Sequence, residues 1–278
     1  DQATTLRTIA STASAIKLMS RSTQNSKQRR CLAITGGKGG VGKSNLAVNL
    51  AIELGALGNQ VGLLDADFGL ANVDLLCGVS PKFHLGHVVA GLKNLNDVML
   101  ELADNVKLIP GGSGVEELAN FSLASRPQIF AQVRAMEEEL NFMLVDTAAG
   151  IAENVSGVLS SASEVIIVVT PEPTSIVDAY ATIKVILRHS PGKPISVVIN
   201  NIIGIGDAEQ IFQSISAAVR GFLDHHVEFL GMIPHDLQVQ EAVREQVPVV
   251  QYAPNSPASR AIRLIAKQLN KQIRDTSN

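Results

Sequence analysis

An open, mostly parallel α/β sheet with helices on both faces is the fold that this 278-residue sequence predicts. Three observations predict it. Short, near-continuous apolar runs alternate with segments of helical periodicity, as expected of strands covered on both faces by crossover helices. The first run ends in a glycine-rich loop, Gly36-Gly37-Lys38-Gly39-Gly40-Val41-Gly42-Lys43-Ser44, which opens a helix. Two later runs end in aspartates, at the strand ends where open α/β sheets form their ligand crevice.

The first thirty residues stand apart. Between Thr8 and Arg30 there is no acidic residue, and Ser, Thr and basic residues dominate. The composition predicts a short helix and a flexible tether over 1–30. Asp1 is placed to cap that helix, with Ala3, Leu6, Ala10 and Ala13 on one face. From 31 to 278 no repeat or linker interrupts the chain, so one domain is expected. Its strands are read at Cys31–Thr35, Gln60–Leu64, Val106–Ile109, Phe142–Val145, Glu164–Thr170, Ile195–Ile199 and Val227–Ile233.

The loop fits G-x-x-x-x-G-K-[ST] from Gly37 to Ser44, between a strand and a helix carrying Leu46, Leu50, Leu54 and Leu57. Glycines let successive backbone N–H groups turn inward around an anion, and the helix N-terminus adds partial positive charge. Lys43 is suited to neutralise β- and γ-phosphates, and the Ser44 hydroxyl to hold Mg²⁺. After the second strand come Asp65 and Asp67, two residues apart and so on one side of an extended chain. Phe142-Met143-Leu144-Val145-Asp146 is an apolar strand ending in a carboxylate, suited to Mg²⁺. Gly150 lets the following loop approach a γ-phosphate.

Pro171 to Lys184 opens a helix for which Thr174 or Ser175 is a plausible N-cap. Asn200 and Asn201 end the next strand, again on the ligand-facing side. His225, His226 and His235 lack metal-site spacing, and Cys31 and Cys77 read as small core residues in a reducing cytoplasm. The helix from Pro257 to Arg274 carries Ala258, Ile262, Ile265, Leu269 and Ile273 on one side and basic residues on the rest. Such a face suits either an anionic membrane surface or core packing, and core packing is the commoner use. No apolar run reaches the length of a membrane span. The net charge of −3 and pI of about 6.1 give no global attraction to nucleic acid.

The run Lys38-Gly39-Gly40-Val41-Gly42-Lys43 resembles the deviant Walker A motif of the MinD/ParA family of dimerising P-loop ATPases. That resemblance implies ATP with Mg²⁺, cradled by Gly37 to Asn45, and a catalytic set of Lys38, Lys43 and Asp67. Lys38 is implied to act across a homodimer on the partner's nucleotide, and Asp67 to polarise the attacking water. Ser44, Asp65 and Asp146 are implied at the metal, and Asn200, Pro234 and Asp236 at the adenine. The opening Asp1-Gln2-Ala3-Thr4-Thr5-Leu6-Arg7 resembles the DQAxxLR activator element of the FlhG-type flagellar branch. In that branch the element docks on FlhF, a signal-recognition-type GTPase. Here it implies Gln2 at the partner's active site, Ala3 and Leu6 as apolar anchors, and Asp1 and Arg7 completing the motif. Further partners implied are flagellar C-ring proteins, anionic membrane and a transcriptional regulator; nucleic acid is not expected. A MinD-type division regulator has no need of Asp1–Arg7, and a ParA-type partition ATPase predicts a basic, DNA-binding surface.

Overall fold

The computed structural model describes residues 29–67, 71–112, 136, 139–150 and 158–275. The expected tether and activator element, with Asp1, Gln2, Ala3, Leu6 and Arg7, lie outside the described residues.

Eight strands form one sheet: β1 (Arg30–Thr35), β2 (Val61–Ala66), β3 (Leu100–Ala103), β4 (Val106–Ile109), β5 (Phe142–Thr147), β6 (Glu164–Val169), β7 (Ile195–Ile202) and β8 (Glu228–Pro234). Their order across the sheet is β3-β4-β2-β5-β1-β6-β7-β8. All pairings are parallel except β3 with β4. The sequence gives little sign of β3, which is short and poorly buried. It closes a hairpin through Asp104-Asn105, where Asn105 takes φ 63°. The other strands lie where the apolar runs predict them, with ends displaced by three residues at most.

The helices are α1 (Lys43–Ala56), α2 (Val73–Leu76), α3 (Leu85–Val89), α4 (Leu95–Val98), α5 (Pro173–His189), α6 (Ile205–Leu223), α7 (Leu237–Arg244), α8 (Val249–Tyr252) and α9 (Pro257–Asp275). Strand alternation divides the core by face. Leu32, Ile34, Leu63, Phe142 and Leu144 pack with α1 and α9 on one face. Ala33, Val165 and Ile167 pack with α5 and α6 on the other. Beside that second cluster, Met143 and Val145 meet Leu85, Val88 and Leu95.

The apolar side of α9 is core. Ala258, Ile262, Ile265, Ala266 and Leu269 are all buried. Arg263 bonds both carboxylate oxygens of Glu53 on α1, at 2.9 and 3.0 Å. Arg30 ties β1 to Glu164 and to the Leu269 carbonyl, the latter at 2.7 Å. Among the described residues, no helix is long and apolar enough to cross a membrane.

Candidate nucleotide-binding site

β1 passes into the glycine loop at Gly36, and the chain re-enters regular structure at Lys43, the first residue of α1. Gly42, at φ 95°, caps α1 with no side-chain hydrogen bond. The N–H groups of the first helical turn are therefore not taken by a capping side chain. Gly37 is required for space: a Cβ there would lie 2.3 Å from the Asp178 carbonyl carbon, in α5. Val41 is buried and anchors the loop in the core, whereas Gly39 and Gly40 face open space. The Lys43 side chain runs past Gly36, and its charge acts on Asp146. Asn45 accepts from Asn49 through both its carbonyl and its side-chain oxygen, at 2.7 and 3.1 Å.

Asp65 and Asp146 are register partners on the adjacent strands β2 and β5, and each is 1% exposed. Burial, then the charge of Asp146, pushes Asp65 up to about 7, although the Val73 and Asp67 N–H groups oppose the rise. Burial likewise pushes Asp146 up to about 6, against a hydrogen bond from Ser44 and the charge of Lys43. For both carboxyls burial outweighs the groups that favour the charged form. Asp67 lies one residue beyond β2, donates its N–H to Asp65 Oδ1 at 3.1 Å, and is close enough for its charge to raise Asp146. Gly150, at φ 90°, donates its N–H to the Gly36 carbonyl at 3.1 Å, joining the loop after β5 to the glycine loop.

These residues fit a nucleotide with a divalent cation. Among the described residues, Asp146 Oδ1 is buried without a hydrogen-bond partner, and so is the Thr35 hydroxyl at the end of β1. Ser44 hydrogen-bonds Asp146, and Asp65 is the register partner of Asp146, so a hydroxyl and two carboxylates lie together here, the oxygen donors that a hard cation such as Mg²⁺ takes.

The structure assigns a role to the start of α5 that the sequence reading missed. Glu172 and Thr174 are the partners of Lys38 at the outer rim of the loop, with Thr174 Oγ1 at 3.5 Å. Thr174 and Ser175 do not cap α5, contrary to expectation. Glu172 is the N-cap residue and Pro173 follows it, because proline has no N–H to satisfy and its φ suits a first helical turn. The buried Ser175 instead accepts from the Thr170 N–H at 3.0 Å, fixing the end of β6. The available signal was topological: β6 neighbours β1, so their C-terminal ends share one crevice.

Asn200 lies across the loop. Its amide donates to the Val41 carbonyl at 2.9 Å, and a Cβ on Gly42 would collide with it. Pro234 ends β8 beside Ile202. Asp236 accepts from the N–H groups of Gln238 and Ala258, both at 3.0 Å, and so caps α7 and steadies the start of α9.

The family model described as "ParA: NUBPL iron-transfer P-loop NTPase" matches residues 27–270. The chain belongs to the ParA/MinD family of P-loop ATPases. It binds and hydrolyses ATP with Mg²⁺. It is 39% identical over 239 residues to the antiactivator FleN of Pseudomonas aeruginosa, covering 86% of this chain and 85% of that protein. It is 35% identical over 254 residues to the flagellum site-determining protein YlxH of Helicobacter pylori, covering 90% and 84% respectively. Within the family it therefore falls with the FlhG-type flagellar members. Its fold matches the septum site-determining protein MinD of Pyrococcus horikoshii, solved with Mg-ADP, at TM-score 0.72 and 26% identity, covering 88% of this chain and 97% of that one.

Proposed function

We propose that the chain is an ATP-driven dimerisation switch that governs flagellar number or placement. The flagellar relatives support the biological part. The observation that carries the mechanical part is the separation of the two loop lysines. Lys43 is buried against the Walker loop, whereas Lys38 is held outward by Glu172 and Thr174 at the rim. A lysine so placed reaches a second nucleotide more readily than its own, and supplies charge in trans as an arginine finger does.

In this reading Gly37 to Asn45 hold the phosphates through backbone N–H groups, and Lys43 neutralises the charge between them. Mg²⁺, when bound beside Ser44, Asp65 and Asp146, neutralises further phosphate charge. Asp67 polarises the attacking water. Asn200, with the Pro234–Asp236 loop, faces the base. Residues 31–278 form the ATPase domain, although the first strand already includes Arg30. Residues 1–30 carry the activator element that stimulates FlhF, and C-ring proteins and an anionic inner-membrane surface are further partners of a cytoplasmic protein.

Light scattering with ATP and Mg²⁺ tests the switch. Asp67→Ala is expected to accumulate as a dimer with ATP bound, and Lys38→Ala to bind ATP yet turn it over poorly. Asp67→Ala remaining monomeric at saturating ATP would remove the sandwich mechanism. GTP hydrolysis by FlhF with a peptide spanning Asp1 to Ser20 tests the flagellar part. Stimulation that disappears with Gln2→Ala is expected; none at all would leave the segment a tether.

A further inference from the structure

The base side of the crevice holds a contact that the mechanism above does not use. β7 and β8 pair in register as far as Asn200 and Ile233, then slip, so that Ile202 faces Pro234 and Asn201 has no partner of its own. Asn201 is therefore a bulged residue, and it takes the left-handed conformation, φ 62°. Asn tolerates that conformation better than most side chains, but it still needs holding there. Two bonds from one residue of β8's exit loop hold it. The His235 ring Nδ1 lies 2.7 Å from Asn201 Oδ1, and the His235 N–H donates to the Ile202 carbonyl at 2.7 Å. Since a carboxamide oxygen only accepts, Nδ1 carries the proton. The bulge sets the direction of its neighbour Asn200, whose amide lies on the Walker loop at Val41. On the other side of His235, Asp236 is fixed by the start of α7 and by Ala258. His235 thus joins a rigid helical corner to the strand end that carries Asn200.

We propose that His235 is a positioning residue for recognition of the nucleotide base, acting through Asn201 on Asn200. The proposal rests on the reading that Asn200 faces the base. Inorganic tripolyphosphate occupies a Walker loop without a nucleoside, so the comparison of ATP with tripolyphosphate isolates the nucleoside contribution, of which the base contact is a part. His235→Ala removes the ring donor and leaves the backbone bond to Ile202. One hydrogen bond of ordinary strength predicts about fivefold weaker ATP binding, with tripolyphosphate binding unchanged. His235→Asn places an amide N–H close to where Nδ1 lies and is expected to restore the affinity for ATP. Asn201→Gly keeps the backbone conformation, deletes the acceptor, and is expected to repeat the selective loss.

Calorimetric titration of the full chain with both ligands, alongside thermal unfolding of each variant, decides the matter. Selective loss in His235→Ala and Asn201→Gly with rescue by His235→Asn supports the proposal. Equal weakening of both ligands, unchanged ATP binding, or failure of the Asn variant to rescue would each overturn it. Asn200→Ala separates the two levels. If that variant shows no selective loss for ATP, the base reading itself fails. If it shows one while His235→Ala does not, only the positioning role fails.

Discussion

The two sides of the crevice are held by different means. On the phosphate side the chain is fixed by main-chain geometry and burial: Gly42 at φ 95°, Gly37 against the backbone of Asp178, and Asp65 and Asp146 each 1% exposed. On the side of Asn200, which we propose faces the base, side-chain hydrogen bonds hold the loops, and Asn201 and His235 are both exposed. Buried backbone geometry tolerates almost no substitution, whereas an exposed hydrogen bond contributes about 1 kcal/mol. The phosphate grip should therefore fail abruptly and the base grip gradually.

The largest effect that sharpens this contrast comes from Lys43→Ala. Removing a preorganised charged donor from a water-poor site typically lowers turnover by about 100-fold or more. ATP and tripolyphosphate binding should both collapse, because the proposed partner of Lys43 is the phosphate chain that the two ligands share. Steady-state ATP hydrolysis and titration of both ligands check this. Near-normal tripolyphosphate binding would mean that the backbone loop suffices and that the contrast is misplaced.

Gly37→Ala comes next. The added Cβ meets backbone 2.3 Å away, which cannot rotate aside, so either the loop or α5 must shift. Overpacking of this kind costs about 1–3 kcal/mol, a fall of about 2–10 °C in Tm for a chain of this size. Because α5 carries Thr174 and is capped by Glu172, the shift should disturb Lys38 and depress ATP turnover further than the stability loss alone explains. Thermal unfolding and ATPase assays on one preparation compare the two. An unchanged Tm would show that the loop has slack which the static contact hides.

The contrast also explains what could be read in advance. Glycine spacing, a lysine and a hydroxyl between a strand and a helix make a local pattern, and Gly37 to Ser44 are contiguous. Asp65 and Asp146 are 81 positions apart in number (146 − 65), yet each ends an apolar run, so strand logic finds both. The Lys38 contact with Glu172 spans 134 residues and has no local signature. Ser175 was misread because its hydroxyl serves the preceding strand rather than its own helix, a choice that only tertiary packing makes. The Asn201 bulge is invisible because register slips leave no mark on composition. Among the described residues, β3 is the strand that the sequence does not predict, since at four residues, none of them buried, its alternation is too short to stand out.

The smallest effect concerns a region beside the crevice. A capping box normally pairs Ser or Thr with Glu or Gln. At the start of α3 both positions are histidine. His84 Nδ1 accepts from the Gly86 N–H at 3.1 Å, and His87 Nδ1 accepts from the His84 N–H at 3.3 Å. His84 Nδ1 can accept only while it is unprotonated, and the two rings lie 4.1 Å apart. Burial, then the proximity of His87, holds His84 below its ordinary value of 6.5. The unfolded chain therefore binds more protons than the folded one in that interval, so stability falls as pH falls. The contribution is complete above about 6.5 and is lost on acidification through the lower folded-state value. A cap contributes about 1 kcal/mol, so protection of the Gly86 amide from hydrogen exchange should fall about fivefold on acidification, after correction for intrinsic rates. Leu85 and Val88 of α3 pack with Ala66 and Val145, the residues before Asp67 and Asp146, so loosening here reaches the phosphate side. The double substitution His84→Ser with His87→Glu restores an ordinary capping box and should abolish the pH dependence. An equal loss of protection in that variant would place the titrating group elsewhere, and would leave the phosphate side insulated from its neighbour.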